Sequence, residues 1–394
     1  MTHYADRMVI AQGSPIRALA KLLSDPDLIS FGGGNPAEEA FPIPELIELS
    51  AQVLRDSGPR ILQYGETEGM SAFKESALEH VIHPKGVKAT TDEILTLTGS
   101  VQGFDLAAKV FLNAGDVVLA EGATFTGALQ AYRLMQADVV GVEMDDEGVI
   151  IQDLEDKMKR YKPKLFYCIP TFQNPTGKTL SVQRRQKIAE LASKYDVMVI
   201  EDDPYCDLRY RGEAVPPIKT FDGTGNVMMF NSFSKILAPG LRLGTVVGKS
   251  EVIEKMGICK QSAVGFPNGL AEAMADVFLR RGLLPGQIKK IVPIYQEHCD
   301  AMMDALHKYF PQGTKCIVPD GGMFLWVELP EGNTYDISDL QIKALKEAKV
   351  AFLPGAGFST IPGQFKNVMR LNFSACTCKK IDIGMKRLGE LLQA

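Results

Sequence analysis

One lysine of this chain stands among residues that suit covalent and phosphate chemistry. Lys235 follows Ser232 and Ser234 closely, and Arg242 lies seven residues further on. A lysine amine can form an imine with an aldehyde, while hydroxyls and an arginine can hold a phosphate dianion. The segment therefore predicts a site for a small molecule that carries both an aldehyde and a phosphate.

Pyridoxal phosphate is such a molecule, and further polar residues suit its ring. Asp202 ends a predicted buried strand, where a carboxylate needs a partner, and a protonated pyridine nitrogen would be one. The amide of Asn174, in an Asn-Pro-Thr-Gly run, suits the phenolic oxygen of the ring, and Tyr205 would share that oxygen. Ordinary turn formation is the alternative explanation for Asn174 and for Asp202.

A short segment after a predicted strand suits the phosphate. Gly99, Ser100, Val101 and Gln102 open a predicted helix. The backbone N–H groups at a helix N-terminus bind phosphate, assisted by the helix dipole. A serine that simply caps the helix is the alternative reading.

The elements that must position these residues alternate along the middle of the chain. Continuous apolar runs are typical of strands buried on both faces, and strands that alternate with helices imply a mostly parallel sheet between helices. The predicted strands are 93–98, 116–120, 138–143, 164–169, 197–201, 227–230 and 244–247, and the predicted helices are 101–112, 126–135, 153–160 and 182–194.

The pattern changes near Pro285 and Gly286, which punctuate the chain. Beyond them we expect a helix over 287–309, a strand over 322–329, a helix over 337–348, a strand over 368–373 and a helix over 381–393. We therefore expect a large α/β domain over residues 46–285 and a smaller α+β domain formed by residues 1–45 and 286–394.

Composition limits the classes of function. The 394 residues carry a formal net charge of -5, which gives no electrostatic reason to expect nucleic acid as a partner. We expect no membrane span, because no apolar stretch is long enough, and no signal peptide, which together predict a cytoplasmic protein. The seven cysteines are scattered and lack metal-ligand spacing, so we expect reduced thiols and no metal site.

Taken in order, the residues Asn174, Asp202, Tyr205, Lys235 and Arg242 resemble the site of class I/II aminotransferases, which depend on pyridoxal phosphate. The resemblance covers essentially the whole chain and is closest to the α-aminoadipate and kynurenine aminotransferase subgroup. It implies PLP-dependent transferase fold type I. It also implies that Lys235 binds the cofactor and acts as general acid and base, with Asp202 and Tyr205 as catalytic partners.

The resemblance assigns roles to further residues. Ser100, Val101, Gln102, Ser232, Ser234 and Arg242 would surround the phosphate. An aromatic residue, Phe125, would stack on the ring, and Tyr64 would reach the phosphate of a neighbouring subunit, which requires a homodimer. Arg370 would pair with the substrate α-carboxylate, next to Asn174, and Gly34 would allow the chain to approach the substrate.

The activity that the resemblance implies is transfer of an amino group between an L-amino acid and a 2-oxo acid, with 2-oxoglutarate as the expected acceptor, in a ping-pong cycle. The preference for the amino-acid side chain stays open. A second arginine for an acidic side chain has no motif, and Arg17 and Arg133 are its candidates.

Three other functions remain open. A PLP-dependent C–S β-lyase would use the same residues. The effector-binding half of an aminotransferase-like transcription regulator is a second alternative, disfavoured because the match begins near residue 1 without a DNA-binding segment. A catalytically silent structural protein is the third, disfavoured because Lys235, Asp202 and Asn174 are all present.

Overall fold

The computed structural model describes residues 3–8, 27–330 and 337–393. Its strands, numbered in chain order, are β1 (Ile29–Ser30), β2 (Ile94–Leu97), β3 (Val117–Glu121), β4 (Asp138–Val142), β5 (Met144–Asp145), β6 (Gly148–Val149), β7 (Leu165–Cys168), β8 (Met198–Asp202), β9 (Val227–Ser232), β10 (Gly244–Val247), β11 (Phe324–Glu328), β12 (Val350–Ala351), β13 (Leu353–Pro354) and β14 (Val368–Asn372).

The α-helices are α1 (Ile43–Ile61), α2 (Ser71–Ala77), α3 (Ser100–Phe111), α4 (Thr126–Leu134), α5 (Ile151–Tyr161), α6 (Val182–Tyr195), α7 (Ser250–Ala263), α8 (Gly269–Arg280), α9 (Leu283–Tyr309), α10 (Ile337–Lys343) and α11 (Cys378–Gln393). Single π-helical turns, Leu78–Ile82 and Ala344–Ala348, extend α2 and α10.

A seven-stranded sheet carries the site, in the order β2-β10-β9-β8-β7-β3-β4. The strands from β9 to β4 pair in parallel, while β10 runs antiparallel to both of its neighbours. The mostly parallel α/β sheet expected from the sequence is therefore confirmed. Because the parallel strands point the same way, their carboxyl ends meet at one edge.

Helices cover both faces of this sheet, since successive side chains of a strand point to opposite faces. Phe166 packs into a cluster with Leu154 of α5 and Ile188 of α6. The next residue, Tyr167, packs against Phe104 of α3 with ring centroids 5.4 Å apart. The three-layered arrangement explains why these strands are apolar throughout.

The chain ends contribute a second set of strands. A three-stranded antiparallel sheet has the order β11-β14-β13, and β1 pairs in parallel with β12, which joins the two ends of the described chain. The division into domains over 46–285 and its flanks stays a prediction. Helix α9 begins at Leu283 rather than at 287, because Pro285 falls in the first turn, where proline is tolerated.

In the described ranges, no helix combines the length and apolar composition needed to cross a bilayer. The cytoplasmic location stays a prediction. All seven cysteines are free thiols.

Candidate active site

The carboxyl ends of the parallel strands open onto a cavity of about 250 Å³. Asp202 is the last residue of β8, Ser232 is the last residue of β9, and Asn174 lies in the loop after β7. The lining residues are Gly34, Ser100, Val101, Phe125, Ile169, Asn174, Asp202, Pro204, Tyr205, Ser232, Ser234, Lys235, Pro239, Arg242, Phe324 and Arg370.

One corner of the cavity is a cradle at the start of α3. Gly99 precedes the helix with φ 80°, a backbone conformation that favours glycine. A Cβ at this position would overlap the guanidinium of Arg242, whose Nη2 donates to the carbonyl oxygen of Thr98 at 3.1 Å. The corner therefore combines helix N–H groups with an arginine, as a phosphate requires.

Two buried serines, Ser232 and Ser234, line the same cavity, while Gln102 does not. Ser234 N donates to Oγ of Ser232 at 3.3 Å, which fixes the turn before Lys235. The side chain of Gln102 turns back, and its Oε1 accepts a hydrogen bond from Thr98 N at 2.8 Å. Gln102 thus holds the turn in place and is absent from the cavity wall, while its contact with the cofactor stays a prediction.

The amine of Lys235 is buried in the cavity. Its Nζ donates a hydrogen bond to the carbonyl oxygen of Gly34 at 2.6 Å. Burial first, and then the positive charges of Arg370 and Arg242, lower the pKa of Lys235 to about 8. The neutral, nucleophilic amine is therefore more populated near neutral pH than it is for an ordinary lysine.

The carboxylate of Asp202 has two different oxygen environments. Oδ2 accepts a hydrogen bond from the hydroxyl of Tyr167 at 2.7 Å. Oδ1 is buried and has no hydrogen-bond partner within the described part of the chain. Burial raises the pKa of Asp202 to about 7, against the hydrogen bond from Tyr167, which lowers it, while Asp203 raises it. A buried acceptor of this kind calls for a proton donor in the cavity.

Asn174 and Tyr205 approach each other, as the sequence predicts. Nδ2 of Asn174 lies 3.5 Å from the hydroxyl of Tyr205. The ring of Tyr205 packs edge-on against Phe324, with centroids 5.9 Å apart. Burial and the charge of Asp202 raise the pKa of Tyr205, so its hydroxyl remains a hydrogen-bond donor. The amide and the hydroxyl form a pair of donors on one side of the cavity.

Arg370 is a buried cation held on several sides. Nη1 donates to Oδ1 of Asn174 at 2.8 Å, and Nη2 donates to the carbonyl oxygen of Gly32 at 2.6 Å. The guanidinium lies 4.3 Å from the ring centre of Phe324 and 4.9 Å from that of Phe358. Nε is buried and has no hydrogen-bond partner among the residues that the structure describes. Burial lowers the pKa of Arg370 to about 9.

Phe125 lines the cavity, and its ring occupies space that a side chain at Gly127 would fill. A Cβ at Gly127 would lie 2.5 Å from the ring of Phe125. The missing side chain therefore lets the ring of Phe125 fold back over the start of α4 and face the cavity.

Tyr64 does not line the cavity of its own chain. Its side chain is 84% exposed and touches Phe266 edge-on, with ring centroids 5.5 Å apart. Its role in the site of a neighbouring subunit stays a prediction.

Several residues of the site were not predicted from the sequence. Ile169, Pro204, Pro239 and Phe324 line the cavity, and Tyr167 lies behind it as the hydrogen-bond donor to Asp202. Proximity to a strand end was a signal for the first two. Tyr167 carried no such signal, because an aromatic residue inside an apolar strand is typical of core.

The two candidates for a second arginine have different outcomes. Arg17 lies outside the described residues. Arg133, on α4, is exposed and is not part of the cavity wall.

Comparison with known proteins agrees with this geometry. Residues 26–388 match the model of the family described as aminotransferase class I and II. The aromatic-amino-acid aminotransferase 1 of Thermococcus litoralis is 38% identical over 99% of this chain and 94% of its own. A crystal structure of Pyrococcus horikoshii kynurenine aminotransferase superposes with a TM-score of 0.93 at 37% identity, covering 99% of this chain and 96% of the other.

A second solved structure carries a cofactor derivative. It is α-aminoadipate aminotransferase from Thermus thermophilus complexed with N-(5'-phosphopyridoxyl)-L-leucine, with a TM-score of 0.91 at 34% identity over 99% of this chain and 97% of the other. The fold is that of the PLP-dependent aminotransferases of fold type I. The chain belongs to the class I and II aminotransferase family; it is a transaminase that uses pyridoxal phosphate.

The residues present fit this cofactor. The buried Oδ1 of Asp202, which has no protein partner in the described ranges, matches a protonated ring nitrogen. The cradle at Gly99, which a Cβ would fill, matches the phosphate, and Lys235 supplies the amine. Each of the three chemical features of the cofactor thus has a matching group in one cavity.

Proposed function

We propose that this enzyme moves an amino group from an L-amino acid to a 2-oxo acid, with 2-oxoglutarate as the acceptor, in a ping-pong cycle. The observation that carries the proposal is the meeting of Lys235, Asp202 and Arg370 in one buried cavity. The first is an amine, the second a carboxylate and the third a guanidinium, and one carboxylate oxygen and the guanidinium Nε have no hydrogen-bond partner among the described residues. They match an amine-binding cofactor together with an amino-acid carboxylate.

Each residue has a defined part in the proposed mechanism. When bound, pyridoxal phosphate supplies an aldehyde carbon that joins amines and a protonated ring that withdraws electrons. Arg370 holds the substrate carboxylate through Nε and Nη hydrogen bonds. Nζ of Lys235, whose pKa burial lowers, would take the proton from the substrate Cα and deliver it to the carbon that the cofactor supplies on the other side of the amino nitrogen.

The remaining residues hold the cofactor. Asp202 pairs with the ring nitrogen, and Asn174 and Tyr205 donate to the phenolic oxygen. Phe125 covers the ring face. Ser100, Val101, Ser232, Ser234 and Arg242 surround the phosphate.

A coupled assay tests the proposal. The enzyme is given 2-oxoglutarate with a panel of donors drawn from the names of its relatives, namely aromatic amino acids, kynurenine and 2-aminoadipate, with alanine as a comparison. We expect at least one donor to yield glutamate in equal amount to its own 2-oxo acid. Absence of glutamate from every donor would contradict 2-oxoglutarate as acceptor.

A separate incubation distinguishes transamination from C–S bond cleavage. The enzyme receives cystathionine alone, without any 2-oxo acid. Because a transaminase without acceptor stops after one half-reaction, we expect at most one product per site. Continuous release of pyruvate and ammonia would instead assign the protein as a β-lyase.

We also propose a homodimer in which Tyr64 completes the phosphate site of the neighbouring subunit. Tyr64 and Leu62 are exposed on one loop, and Ile43 and Ile47 are exposed on α1. Large apolar side chains of this kind on adjoining segments favour an interface with a second copy.

Mixing two inactive variants tests this arrangement. A Lys235→Ala subunit retains Tyr64, and a Tyr64→Ala subunit retains Lys235. If Tyr64 acts across the interface, each mixed dimer contains one complete site, so activity reappears after mixing and subunit exchange. If Tyr64 acted within its own chain, no mixed dimer would have a complete site. The mixture would then be no more active than either variant alone.

A further inference from the structure

Tyr167 lies behind Asp202 because of the strand register. Tyr167 of β7 pairs with Ile200 of β8, and Asp202 follows two residues later on the same face of the sheet. The tyrosine side chain therefore extends along that face towards the end of β8. Its hydroxyl donates to Oδ2 of Asp202 at 2.7 Å.

This contact orients the carboxylate. Asp202 lines the cavity, and with Oδ2 taken by Tyr167 its other oxygen has no partner among the residues the structure describes. The donor itself has little freedom, since Tyr167 is fully buried and packs against Phe104 and Tyr132, with ring centroids 5.4 Å and 6.0 Å away. The hydroxyl position is thus fixed by packing.

We propose that Tyr167 is a positioning residue that holds Asp202 ionised and aims its free oxygen at the ring nitrogen of the cofactor. The proposal rests on the proposed role of Asp202. Tyr167 is not part of the cavity wall, and it acts through the hydrogen bond to Oδ2.

The hydrogen bond from Tyr167 affects the protonation of Asp202. Burial raises the pKa of Asp202 to about 7, and the bond from Tyr167 opposes that rise. Without the hydroxyl, the pKa of Asp202 rises further, which favours the protonated carboxyl over the carboxylate. The titratable groups that interact with Asp202 are Tyr132, Tyr167, Tyr205, Glu121, Cys168 and Asp203.

Tyr132 provides a matched control. It is as buried as Tyr167 and packs against it, yet its hydroxyl has no hydrogen-bond partner in the described part of the chain. Tyr132→Phe and Tyr167→Phe therefore remove the same atom from neighbouring buried rings, and only the second change takes a hydrogen bond from Asp202.

The test compares the affinity of each apoenzyme for pyridoxal phosphate and for its 1-deaza analogue, in which carbon replaces the ring nitrogen. Wild type is expected to prefer pyridoxal phosphate. In Tyr167→Phe we expect this preference to fall about tenfold, as for a lost hydrogen bond to a charged group. Its affinity for the analogue should change little. Tyr132→Phe is expected to match wild type with both compounds.

The outcomes separate the two levels of the proposal. If wild type and Asp202→Asn fail to distinguish the two compounds, the role of Asp202 itself is wrong. If Asp202→Asn loses the preference but Tyr167→Phe keeps it, only the role of Tyr167 is overturned. Equal weakening of both compounds by Tyr167→Phe would also overturn it, because that result reports a general packing defect.

Discussion

Arg370 and Asn174 are joined directly, with Nη1 of the arginine donating to Oδ1 of the asparagine at 2.8 Å. Arg370 lies on β14 of the smaller sheet, and Asn174 lies in the loop after β7 of the larger sheet. In our account the first residue binds the substrate and the second binds the cofactor. The hydrogen bond between them therefore couples the substrate site to the cofactor site.

Replacing Arg370 by lysine tests the substrate contact. Lysine keeps the charge but loses the planar fork that binds a carboxylate at two points. We expect kcat/KM for an amino acid to fall by about tenfold to a hundredfold, since a hydrogen bond to a charged group contributes about 1.5–3 kcal/mol. Steady-state kinetics measures this. Arg133→Lys, at an exposed position on α4, serves as the control, and an equal loss there would contradict the assignment.

Adjacent carboxylates allow a sharp test of Asp202. Asp203 is also buried but lines a different cavity, beside Lys85 and Arg209. We expect Asp202→Asn to lower kcat by about 10²–10³, comparable to removing an oxyanion-hole donor, measured with cofactor in excess. Asp203→Asn should retain most of the turnover. The reverse order of effects would remove Asp202 from the site.

Two glycines with similar positive φ angles separate strain from contact at the phosphate cradle. Gly99 has φ 80° and Gly115 has φ 83°, so alanine at either position costs about 1–3 kcal/mol of stability. A Cβ at Gly99 overlaps Arg242, whereas one at Gly115 meets nothing within 4 Å. We expect both variants to unfold at lower temperature, but only Gly99→Ala to bind pyridoxal phosphate at least about tenfold more weakly. Equal cofactor affinity in both would contradict the cradle.

The pKa of Lys235 predicts a pH dependence for cofactor attachment. Only the neutral amine attacks an aldehyde, and burial lowers the pKa of this lysine to about 8. The attachment rate of apoenzyme should therefore rise with pH and level off above about 8, far below the ordinary value for lysine. The visible absorbance of the bound cofactor follows the rate. Arg370→Gln removes a positive charge that lowers this pKa, so its profile should shift to higher pH; an unshifted profile would contradict that cause.

The sequence predicted the strands of the central sheet well because their signal is local. Apolar runs such as Val197–Ile200 mark a strand buried on both faces, and β10 was located to the residue. Helix α1 was not predicted, since Pro44, Ser57 and Pro59 interrupt its pattern and Ser57 itself has a non-helical backbone. The two-residue strands β1 and β12 are stabilised by their pairing with each other and leave no pattern of their own.

The candidate site likewise combines residues that local motifs predicted with contacts that no local pattern predicted. Asn174, Asp202, Tyr205 and Lys235 lie in short motifs, and these motifs predicted their types and order. The contacts of Arg370 with Gly32 and of Tyr167 with Asp202 join segments distant in sequence. Such contacts depend on how the sheets pack, which no local spacing contains. A motif also does not determine where a side chain points. Gln102 lies in a motif, yet its side chain turns back to Thr98.

The most direct test of the central claim is to identify which lysine carries the cofactor. Lys260 is a suitable internal control, because burial also lowers its pKa to about 8, yet its Nζ is bound to the carbonyl oxygens of Thr67 and Thr96 and lies outside the cavity wall. The enzyme is loaded with pyridoxal phosphate, reduced with borohydride, digested and analysed by mass spectrometry. We predict a phosphopyridoxyl group on Lys235 and none on Lys260. A label on Lys260 or elsewhere, or its persistence in Lys235→Ala, would contradict the account.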